Sequence, residues 1–216
     1  MNQKIGVIGT GQVGEALANG FLAHGGTVMR GSRDPGKLAE WKLGAGAKAS
    51  TGTLAETAAF ADVVVLAVKG TAAESAVDLC GAANLNGKTV IDTTNPIAEA
   101  PPVHGVMKFF TTPDDSLMER LQRRVPGAHF VKAFSCVGAT LMVDPKLPGG
   151  PPTMFICGND AGAKRATEAI LKEFGWEIWD FGAAEAARAI EPLSIVWCVP
   201  GFLGQSWNHA FKLLKA

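Results

Sequence analysis

The feature that most constrains this chain is a run of three glycines, Gly9, Gly11 and Gly14, directly after a short apolar segment. That segment, "KIGVIG" (Lys4–Gly9), has the composition of a buried strand, and "TGQVGEALANGFLAHG" (Thr10–Gly25) has apolar residues at near-helical spacing. A G-x-G-x-x-G pattern between a strand and a helix is typical of a turn that binds the pyrophosphate of a dinucleotide. A glycine turn without any ligand is the alternative.

Strand and helix patterns alternate along the following segments. Further strands are predicted at Thr27–Arg33, weakly at "AKAS", and at Asp62–Val68, Gly87–Pro96 and Ala128–Ser135. Helices are predicted at Pro35–Leu43, at Thr53–Ala61 with a capping box of Thr53 and Glu56, at Thr71–Ala83 and at Asp115–Val125. This order predicts an α/β fold with a Rossmann-type, doubly wound, mostly parallel sheet.

The pattern loosens after Ser135. A loop at Pro145–Pro152 precedes a strand, a helix, a second strand and a tail that we predict to be helical from Ala183, broken or kinked at its prolines. We therefore expect a dinucleotide-binding domain over residues 1–136 and a small C-terminal α/β extension over residues 137–216.

Composition narrows the class of protein. Hydrophobic residues make up 47 % of the 216 residues and charged residues 19 %, which excludes a disordered chain. Lys and Arg total 20, as do Asp and Glu, so neither nucleic acid nor an anionic membrane is expected as a partner. No apolar run reaches the length of a membrane span, and the N-terminus lacks a signal-peptide pattern, so we expect a cytoplasmic protein.

The end of the second predicted strand indicates which dinucleotide is bound. An NAD site would place Asp or Glu about 20 residues after the glycines, to hold the ribose 2′-hydroxyl. This chain instead has Ser32, Arg33 and Lys37, and its first nearby carboxylate, Asp34, follows the strand. A hydroxyl and two cations suit a 2′-phosphate, which a carboxylate would repel. The pattern favours NADP(H), although a solvated basic turn would have the same residues.

Polar residues also follow three other predicted strands. Lys69, Asn95 and Ser135 each come at the carboxyl end of a strand, where ligands bind in sheets of this kind. Simple turn chemistry would explain each of them singly, but together they predict the nicotinamide half of the site. We interpret Cys136 as a residue of the pocket wall, because the sequence offers its thiol no partnering histidine.

The sequence offers little equipment for acid–base catalysis. It contains no Tyr, which excludes the short-chain reductases with their Tyr-x-x-x-Lys motif. None of the histidines, His24, His104, His129 and His209, falls in a catalytic pattern. Neither metal-ligand spacing nor a Cys-x-x-Cys pair occurs, so no metal is expected and the four cysteines are expected to be buried thiols. We expect no catalytic side chain, and hydride transfer between two preformed redox rings.

These motifs, taken in order, resemble the deazaflavin-dependent NADP oxidoreductase family, which reduces an 8-hydroxy-5-deazaflavin coenzyme with NADPH. The segments that carry the likeness are "IGVIGTGQVGEALANGF", "GSRDPGK", "VVVLAV", "VIDTTNP" and "VKAFSCVGA". The cytosolic domains of membrane ferric reductases share the pattern. The likeness spans nearly the whole chain and is strongest over Lys4–Lys37.

The resemblance implies roles for particular residues. It implies phosphate binding at Gly9, Thr10, Gly11, Gln12 and Val13, 2′-phosphate binding at Ser32, Arg33 and Lys37, and contact with the nicotinamide ribose at Val68 and Lys69. It also implies that residues 137–216 complete the pocket of a deazaflavin or flavin acceptor and form a homodimer. The family often has His or Asn at the position of Ser135, and this departure leaves the acceptor open.

Two other functions remain compatible with the sequence. The segment "AVKG" is similar to the "AVKP" of pyrroline-carboxylate reductases, which suggests an NADPH-dependent imine reductase. The C-terminal dimerisation region of that family is usually longer than the one here. The second alternative is a module that binds NADPH as a sensor without catalysis.

Overall fold

The structure is a computed structural model that describes residues 3–214. Within these residues the strands are β1 Lys4–Ile8, β2 Thr27–Gly31, β3 Ala49–Gly52, β4 Val63–Leu66, β5 Thr89–Asp92, β6 His129–Lys132, β7 Thr153–Gly158 and β8 Glu177–Asp180. The helices are α1 Gln12–Ala23, α2 Ala39–Gly44, α3 Leu54–Phe60, α4 Gly70–Cys80, α5 Ala82–Leu85, α6 Leu117–Arg124, α7 Ala161–Glu173, α8 Ala187–Ile190 and α9 Leu193–Phe202.

All of these strands join one sheet, in the order β3-β2-β1-β4-β5-β6-β7-β8. Every neighbouring pair is parallel except β6 and β7, which are antiparallel. The order reverses between β1 and β4, which is the point where doubly wound sheets open a crevice at their carboxyl edge. The predicted fold class is confirmed.

Both faces of the sheet are covered, which explains the continuously apolar strand β4. Val64 and Leu66 pack into a core with α3, α4 and α6, whereas Val63 and Val65 pack into a second core with α1 and α7. All four residues of β4 are buried. Alternate residues of a strand point to opposite faces, so a strand covered on both sides must be apolar throughout.

The sheet continues past residue 136, the boundary expected between the two parts of the chain. Strand β7 pairs with β6 through Lys132 and Cys157, and β8 extends the sheet by pairing with β7. The C-terminal strands therefore share a sheet with the dinucleotide-binding half. The division at residue 136 stays a prediction.

Local structure departs from the predicted helices at two places. The helix predicted at Thr71–Ala83 is two helices, because Gly81 adopts a positive φ of 81° between α4 and α5. The helix predicted at Pro35–Leu43 begins as a 3₁₀ turn, Pro35–Leu38, before α2. The predicted capping box is confirmed, since the Thr53 hydroxyl accepts from the Glu56 amide and the Glu56 carboxylate accepts from the Thr53 amide.

The predicted helical tail is wrong over residues 203–214, and its residues 215–216 lie outside the described part of the chain. Pro192 separates α8 from α9 as expected, but Pro200 lies inside α9 without ending it. After α9 the chain turns at Gly204, whose φ is 76°, and returns to the start of β7. There the Thr153 amide donates to the Phe211 carbonyl at 2.8 Å. This tertiary contact holds the segment in a non-helical conformation.

No helix within residues 3–214 is both long enough and apolar enough to cross a membrane.

Candidate functional site

The glycine loop joins β1 to α1 at the carboxyl edge of the sheet. Gly9 has a φ of 140°, and a Cβ there would lie 2.1 Å from the Ala67 carbonyl oxygen. A Cβ on Gly14 would lie 2.8 Å from the Gly9 carbonyl oxygen. Gly9 and Gly14 are therefore required by the protein's own packing.

Gly11 is different, because a Cβ at this position would meet no protein atom within 4 Å. Nothing in the packing of the protein requires a glycine here. The free space lies where the backbone of a dinucleotide-binding loop approaches the pyrophosphate. Gly11 is also the N-cap of α1 and has no side chain to cap the helix, so the amides of the first turn, at Gln12 and Val13, remain available to an anion.

A cavity of about 730 Å³ opens beside this loop. It brings together residues from three strand ends that the sequence predicts to bind the cofactor: Gly9, Thr10, Gly11, Ser32, Arg33, Lys37, Val68 and Lys69. The predicted residues outside its lining are Gln12, Val13, Gly14, Asn95 and Ser135. Gln12, Val13 and Gly14 lie in the first turn of α1.

The cationic end of this cavity follows β2. Arg33 and Lys37 are exposed, and both line the cavity together with Ser32, which is buried. The nearby carboxylate of Asp34 also lines the cavity, but it accepts a hydrogen bond from the Gly36 amide at 3.0 Å and so caps the following turn. Two cations and a hydroxyl at one end of a cavity suit a phosphate group.

The strand ends predicted to hold the nicotinamide adjoin one another. The Asn95 side chain donates from Nδ2 to the Ser135 carbonyl at 2.6 Å. Gly70, which follows Lys69, lies so close to this turn that a Cβ there would be 1.9 Å from the Asn95 carbonyl oxygen. Asn95 Oδ1 and the Ser135 hydroxyl are buried and have no hydrogen-bond partner among the described residues. Buried polar groups of this kind are usually paired, so these two groups mark the turn as a place where a hydrogen-bond partner is missing.

His24, His209 and Cys136, which were considered as catalytic residues, contact neighbouring protein groups or lie in the core. His24 lies 3.0 Å from the Asp144 carboxylate, and His209 Nε2 lies 3.0 Å from the Trp197 carbonyl oxygen. Cys136 is buried in the core beside α4 and α6, and burial raises the pKa of its thiol to about 12. A thiol with so high a pKa is not a nucleophile at neutral pH. Cys80 and Cys157 are also buried and free, as predicted, while Cys198 is half-buried.

The structure contains a buried ionic cluster next to the Asn95 turn, and this cluster was not predicted from the sequence. Lys132 Nζ lies 2.6 Å from Asp92 Oδ2, 2.9 Å from Glu191 Oε1 and 2.8 Å from the Thr94 carbonyl oxygen. Although burial lowers it, the two carboxylates raise the pKa of Lys132 to about 12. Asp92 Oδ1 in turn accepts from the Thr94 amide at 2.9 Å. The cluster therefore fixes the residue that precedes Asn95.

Glu191 joins this cluster to the C-terminal part of the chain. Its carboxylate accepts from the amides of Leu117 and Met118, at 3.1 and 3.0 Å. A carboxylate at the N-terminus of α6 is favourable because it satisfies free amides and meets the positive end of the helix dipole. The available sequence signal was limited to an Asp and a Lys at the carboxyl ends of two short strands, β5 and β6.

A cavity of this kind, at the carboxyl edge of a Rossmann-type sheet, is typical of oxidoreductases that use a nicotinamide dinucleotide. Comparison with known proteins gives the same class and specifies NADP as the cofactor. Residues 4–96 match the family model for "NADP oxidoreductase coenzyme F420-dependent". The structure of a candidate F420-dependent NADP-reductase from Arthrobacter sp. FB24 is 35 % identical, with a TM-score of 0.91 over 99 % of this chain and 100 % of that chain.

The chain therefore belongs to the NADP oxidoreductase family named for coenzyme F420, as an NADP-dependent oxidoreductase. It is also 29 % identical to the metalloreductase STEAP3 of Rattus norvegicus over 207 residues, which are 93 % of this chain and 39 % of that protein. The chain thus spans well under half the length of this curated relative. An imine reductase from Bacillus cereus BAG3X2 is 18 % identical, with a TM-score of 0.67 over 93 % of this chain and 62 % of that chain, a likeness of fold alone.

Proposed function

We propose that this protein transfers a hydride between NADP(H) and a deazaflavin or flavin-like ring acceptor. The observation that carries the proposal is the arrangement of the cavity. Its cationic end, at Ser32, Arg33 and Lys37 after β2, and its strand-end side, at Val68 and Lys69 after β4, lie on either side of the glycine loop, because β1 lies between these two strands in the sheet. This order suits the 2′-phosphate, the pyrophosphate and the nicotinamide ribose of one NADP(H) molecule.

The residues present fit this cofactor. Gly11 leaves space that a pyrophosphate would fill, and the first-turn amides of α1 face no side-chain cap. The unpartnered Asn95 Oδ1 and Ser135 hydroxyl offer an acceptor and a donor, the two groups that a carboxamide such as that of nicotinamide requires. NADPH would supply the hydride when bound, and Val68 and Lys69, which line this side of the cavity in front of the Asn95 turn, would adjoin its nicotinamide ribose.

The chemistry requires little more than positioning from the protein. The hydride would carry both electrons from C4 of the nicotinamide to C5 of a deazaflavin or N5 of a flavin, and the proton that the reduced acceptor takes up at N1 can come from solvent, so no side-chain acid is required. The pocket must bring the two reacting atoms to about 3–3.5 Å and exclude water from between them. The buried Asp92–Lys132–Glu191 cluster supports this task because it fixes the Thr94–Asn95 turn. Coenzyme F420, a deazaflavin, is the acceptor that the name of the family suggests.

An imine reductase is the second candidate, and the structure weakens the motif that suggested it. A Cβ on Gly70 would lie 1.9 Å from the Asn95 carbonyl oxygen, so the contact between α4 and the β5 turn requires glycine in "AVKG". The proline of "AVKP" carries a Cβ that this contact would not admit without a shift. The glycine therefore has an explanation in packing that is independent of the substrate.

An acceptor panel separates these functions. NADPH oxidation would be followed anaerobically with a deazaflavin, FAD, FMN, a quinone, ferric citrate and pyrroline carboxylate, each at the same concentration. We expect turnover with the deazaflavin or a flavin and none with pyrroline carboxylate. Turnover with pyrroline carboxylate alone would support the imine reductase, and tight NADPH binding without turnover of any acceptor would support the sensing module.

We also propose that the chain forms a homodimer through an apolar surface made by α9 and the turn at Val103–Val106. The sequence of α9, LSIVWCVPGF, has no charged side chain, and within it only Ser194 and Trp197 are buried. The turn adjoins the end of this helix, since a Cβ on Gly105 would lie 3.4 Å from Leu203. An exposed apolar surface of this kind is typical of an interface.

Light scattering after size exclusion tests the dimer. Leu203→Asp should yield a monomer, because it places a charge in the apolar surface. Leu43→Asp is the matched control, since Leu43 is exposed on α2, outside this surface. A wild-type monomer, or an unchanged mass for Leu203→Asp, would contradict this interface.

A further inference from the structure

Arg30 is a buried cation beneath the glycine loop, and the site described above assigns it no task. Its side chain is 1 % exposed and extends from β2 toward the start of α1. Nη2 donates to the Gly9 carbonyl oxygen at 3.2 Å and to the Gly11 carbonyl oxygen at 3.4 Å. A single guanidinium thus contacts two carbonyls of the loop, one on either side of Thr10.

Neighbouring side chains hold this guanidinium in place. Its Cζ atom lies 4.9 Å from the centre of the Trp41 ring, within the range of a cation–π contact. Trp41 is itself attached to α1, because its indole Nε1 donates to Asn19 Oδ1 at 2.8 Å. Arg30 Nη1 lies 3.6 Å from the Glu15 carboxylate. Burial lowers the pKa of Arg30, and Glu15 partly offsets that effect.

Because of the geometry of the peptide bond, these contacts determine the direction in which the amides of the glycine loop point. In a trans peptide the C=O and the following N–H point in opposite directions. A Gly9 carbonyl directed at Arg30 therefore directs the Thr10 amide away from Arg30, and the Gly11 carbonyl does the same for the Gln12 amide. Thr10 and Gly11 line the cavity. The guanidinium thus orients the loop's amides toward the side where a phosphate would bind.

The positive charge of Arg30 also favours the binding of an anion at the loop. A cation next to the N-terminus of α1 adds to the positive end of the helix dipole and is unfavourable there unless an anion is close. Glu15 supplies part of the compensation, but its side chain is 55 % exposed and hence largely screened by solvent. A bound pyrophosphate would supply the rest.

We propose that Arg30 is a positioning residue for the phosphate loop, which fixes the Gly9–Thr10 and Gly11–Gln12 peptides for the pyrophosphate of NADP(H). This proposal rests on the proposed binding of the pyrophosphate at the glycine loop. Arg30 contacts no ligand itself, because its guanidinium lies beneath the loop and is buried. Its effect is therefore specific to the part of the ligand that the loop amides bind.

Two fragments of the cofactor make that specificity measurable. The probe 2′,5′-ADP carries both the 2′-phosphate and a phosphate at the loop, whereas 2′-AMP carries the 2′-phosphate alone. In calorimetric titrations, Arg30→Met should weaken NADPH and 2′,5′-ADP by roughly 10- to 100-fold, as the loss of charge-assisted hydrogen bonds would. The affinity for 2′-AMP should be unchanged. Arg33→Ala is the matched comparison, because it should weaken all three ligands.

Two further variants keep the test decisive if Arg30→Met does not fold. Arg30→Lys retains the charge and one donor, so it should bind 2′,5′-ADP with an affinity between those of the wild type and of Arg30→Met. Trp41→Leu removes the ring beside the guanidinium from the partly exposed helix α2, and should weaken 2′,5′-ADP but not 2′-AMP.

Three results would overturn the proposal, and the third would also contradict the proposed mode of cofactor binding. Unchanged 2′,5′-ADP affinity in Arg30→Met, or in both further variants, would show that phosphate binding by the loop does not depend on the contacts of Arg30. An equal loss of 2′-AMP and 2′,5′-ADP affinity would show a general structural defect. If the wild type itself binds 2′,5′-ADP no better than 2′-AMP, the glycine loop is not the phosphate site, and the proposed mode of cofactor binding fails as well.

Discussion

Lys132 and Glu191 form an ion pair of 2.9 Å in which neither side chain is more than 2 % exposed. Lys132 ends β6, in the sheet next to the proposed nicotinamide site, and Glu191 follows α8 in the C-terminal part of the chain. The pair therefore connects the cofactor side of the sheet with the segment that we propose to form the dimer. Because Lys132 also contacts Asp92 and the Thr94 carbonyl, this one lysine links Glu191 to the turn that precedes Asn95.

The buried cluster gives a prediction on stability. Lys132→Met should lower the free energy of unfolding by about 3–5 kcal/mol, because it leaves two buried carboxylates without their cation. Glu191→Gln should lower it less, since Lys132 keeps Asp92 and the glutamine carbonyl can still accept from the α6 amides. Urea unfolding of both variants checks the order. Equal stability of wild type and Lys132→Met would contradict this interpretation of the cluster.

Gly9 and Gly11 of the glycine loop should differ in the effect of substitution. Gly11→Val should abolish NADPH binding and lower the stability by less than about 1 kcal/mol, because its side chain would enter open space on the ligand side. Gly9→Ala should destabilise the fold by roughly 3 kcal/mol or more, since a positive φ and a backbone clash add. Thermal melting and NADPH titration separate the two effects. Normal NADPH affinity in a folded Gly11→Val variant would show that the phosphate binds elsewhere.

The features that could be predicted from the sequence are those that depend on residues close together in the chain. The strand, glycine turn and helix at the N-terminus, and the capping box at Thr53, are contiguous patterns and appear as expected. Gly81 within a predicted helix was a signal for the break between α4 and α5. The cavity also gathers Ser32, Arg33 and Lys37 with the loop, because parallel strands end at a common edge of the sheet.

The parts that the sequence did not predict depend on tertiary contacts. Arg30 is buried because Trp41 and Glu15, from two other elements, meet its guanidinium. The cluster at Lys132 requires the register of β5 against β6 and the placement of Glu191 beside α6. Residues 203–214 lack the predicted helix, because this segment pairs with the start of β7. None of these relationships has a local periodicity from which it could be inferred.

Acid should destabilise the fold partly through Glu119. The Arg188 guanidinium, 2.9 Å away, and the Ser116 amide and hydroxyl hold the pKa of Glu119 near 2, against burial, which acts to raise it. A carboxylate with a lower pKa in the folded state stabilises the protein above its unfolded pKa, and this contribution disappears as the pH falls toward the folded value. The loss should therefore occur between about pH 4.5 and pH 2.

Urea midpoints measured from pH 6 to pH 2 check this prediction. The decline with acid should be shallower in Glu119→Gln than in the wild type, because the variant has no proton to bind at this site. Glu74→Gln is the control, since Glu74 is a partly exposed residue of α4 whose carboxylate lies 3.9 Å from Arg124. The same acid dependence in Glu119→Gln and in the wild type would contradict the assignment.

The preference for NADP(H) over NAD(H) should depend on Arg33. The Arg33→Ala variant should bind NADPH more weakly by about 1–3 kcal/mol, because a charge-assisted contact with the 2′-phosphate is lost. Its affinity for NADH should hardly change, since that ligand has no such phosphate. Fluorescence titration with both cofactors provides the measurement. Parallel losses for NADPH and NADH would show that Arg33 does not contact the 2′-phosphate.

Direct transfer of the hydride from NADPH to a ring acceptor is the central claim, and an isotope label tests it most directly. NADPH deuterated at both C4 positions of the nicotinamide would be mixed anaerobically with enzyme and an oxidised deazaflavin in ordinary water, for a single turnover. We expect mass spectrometry to find one deuterium on the reduced acceptor ring, because the pocket holds the two carbons in contact. Recovery of the deuterium in the solvent, with none on the acceptor, would contradict direct transfer.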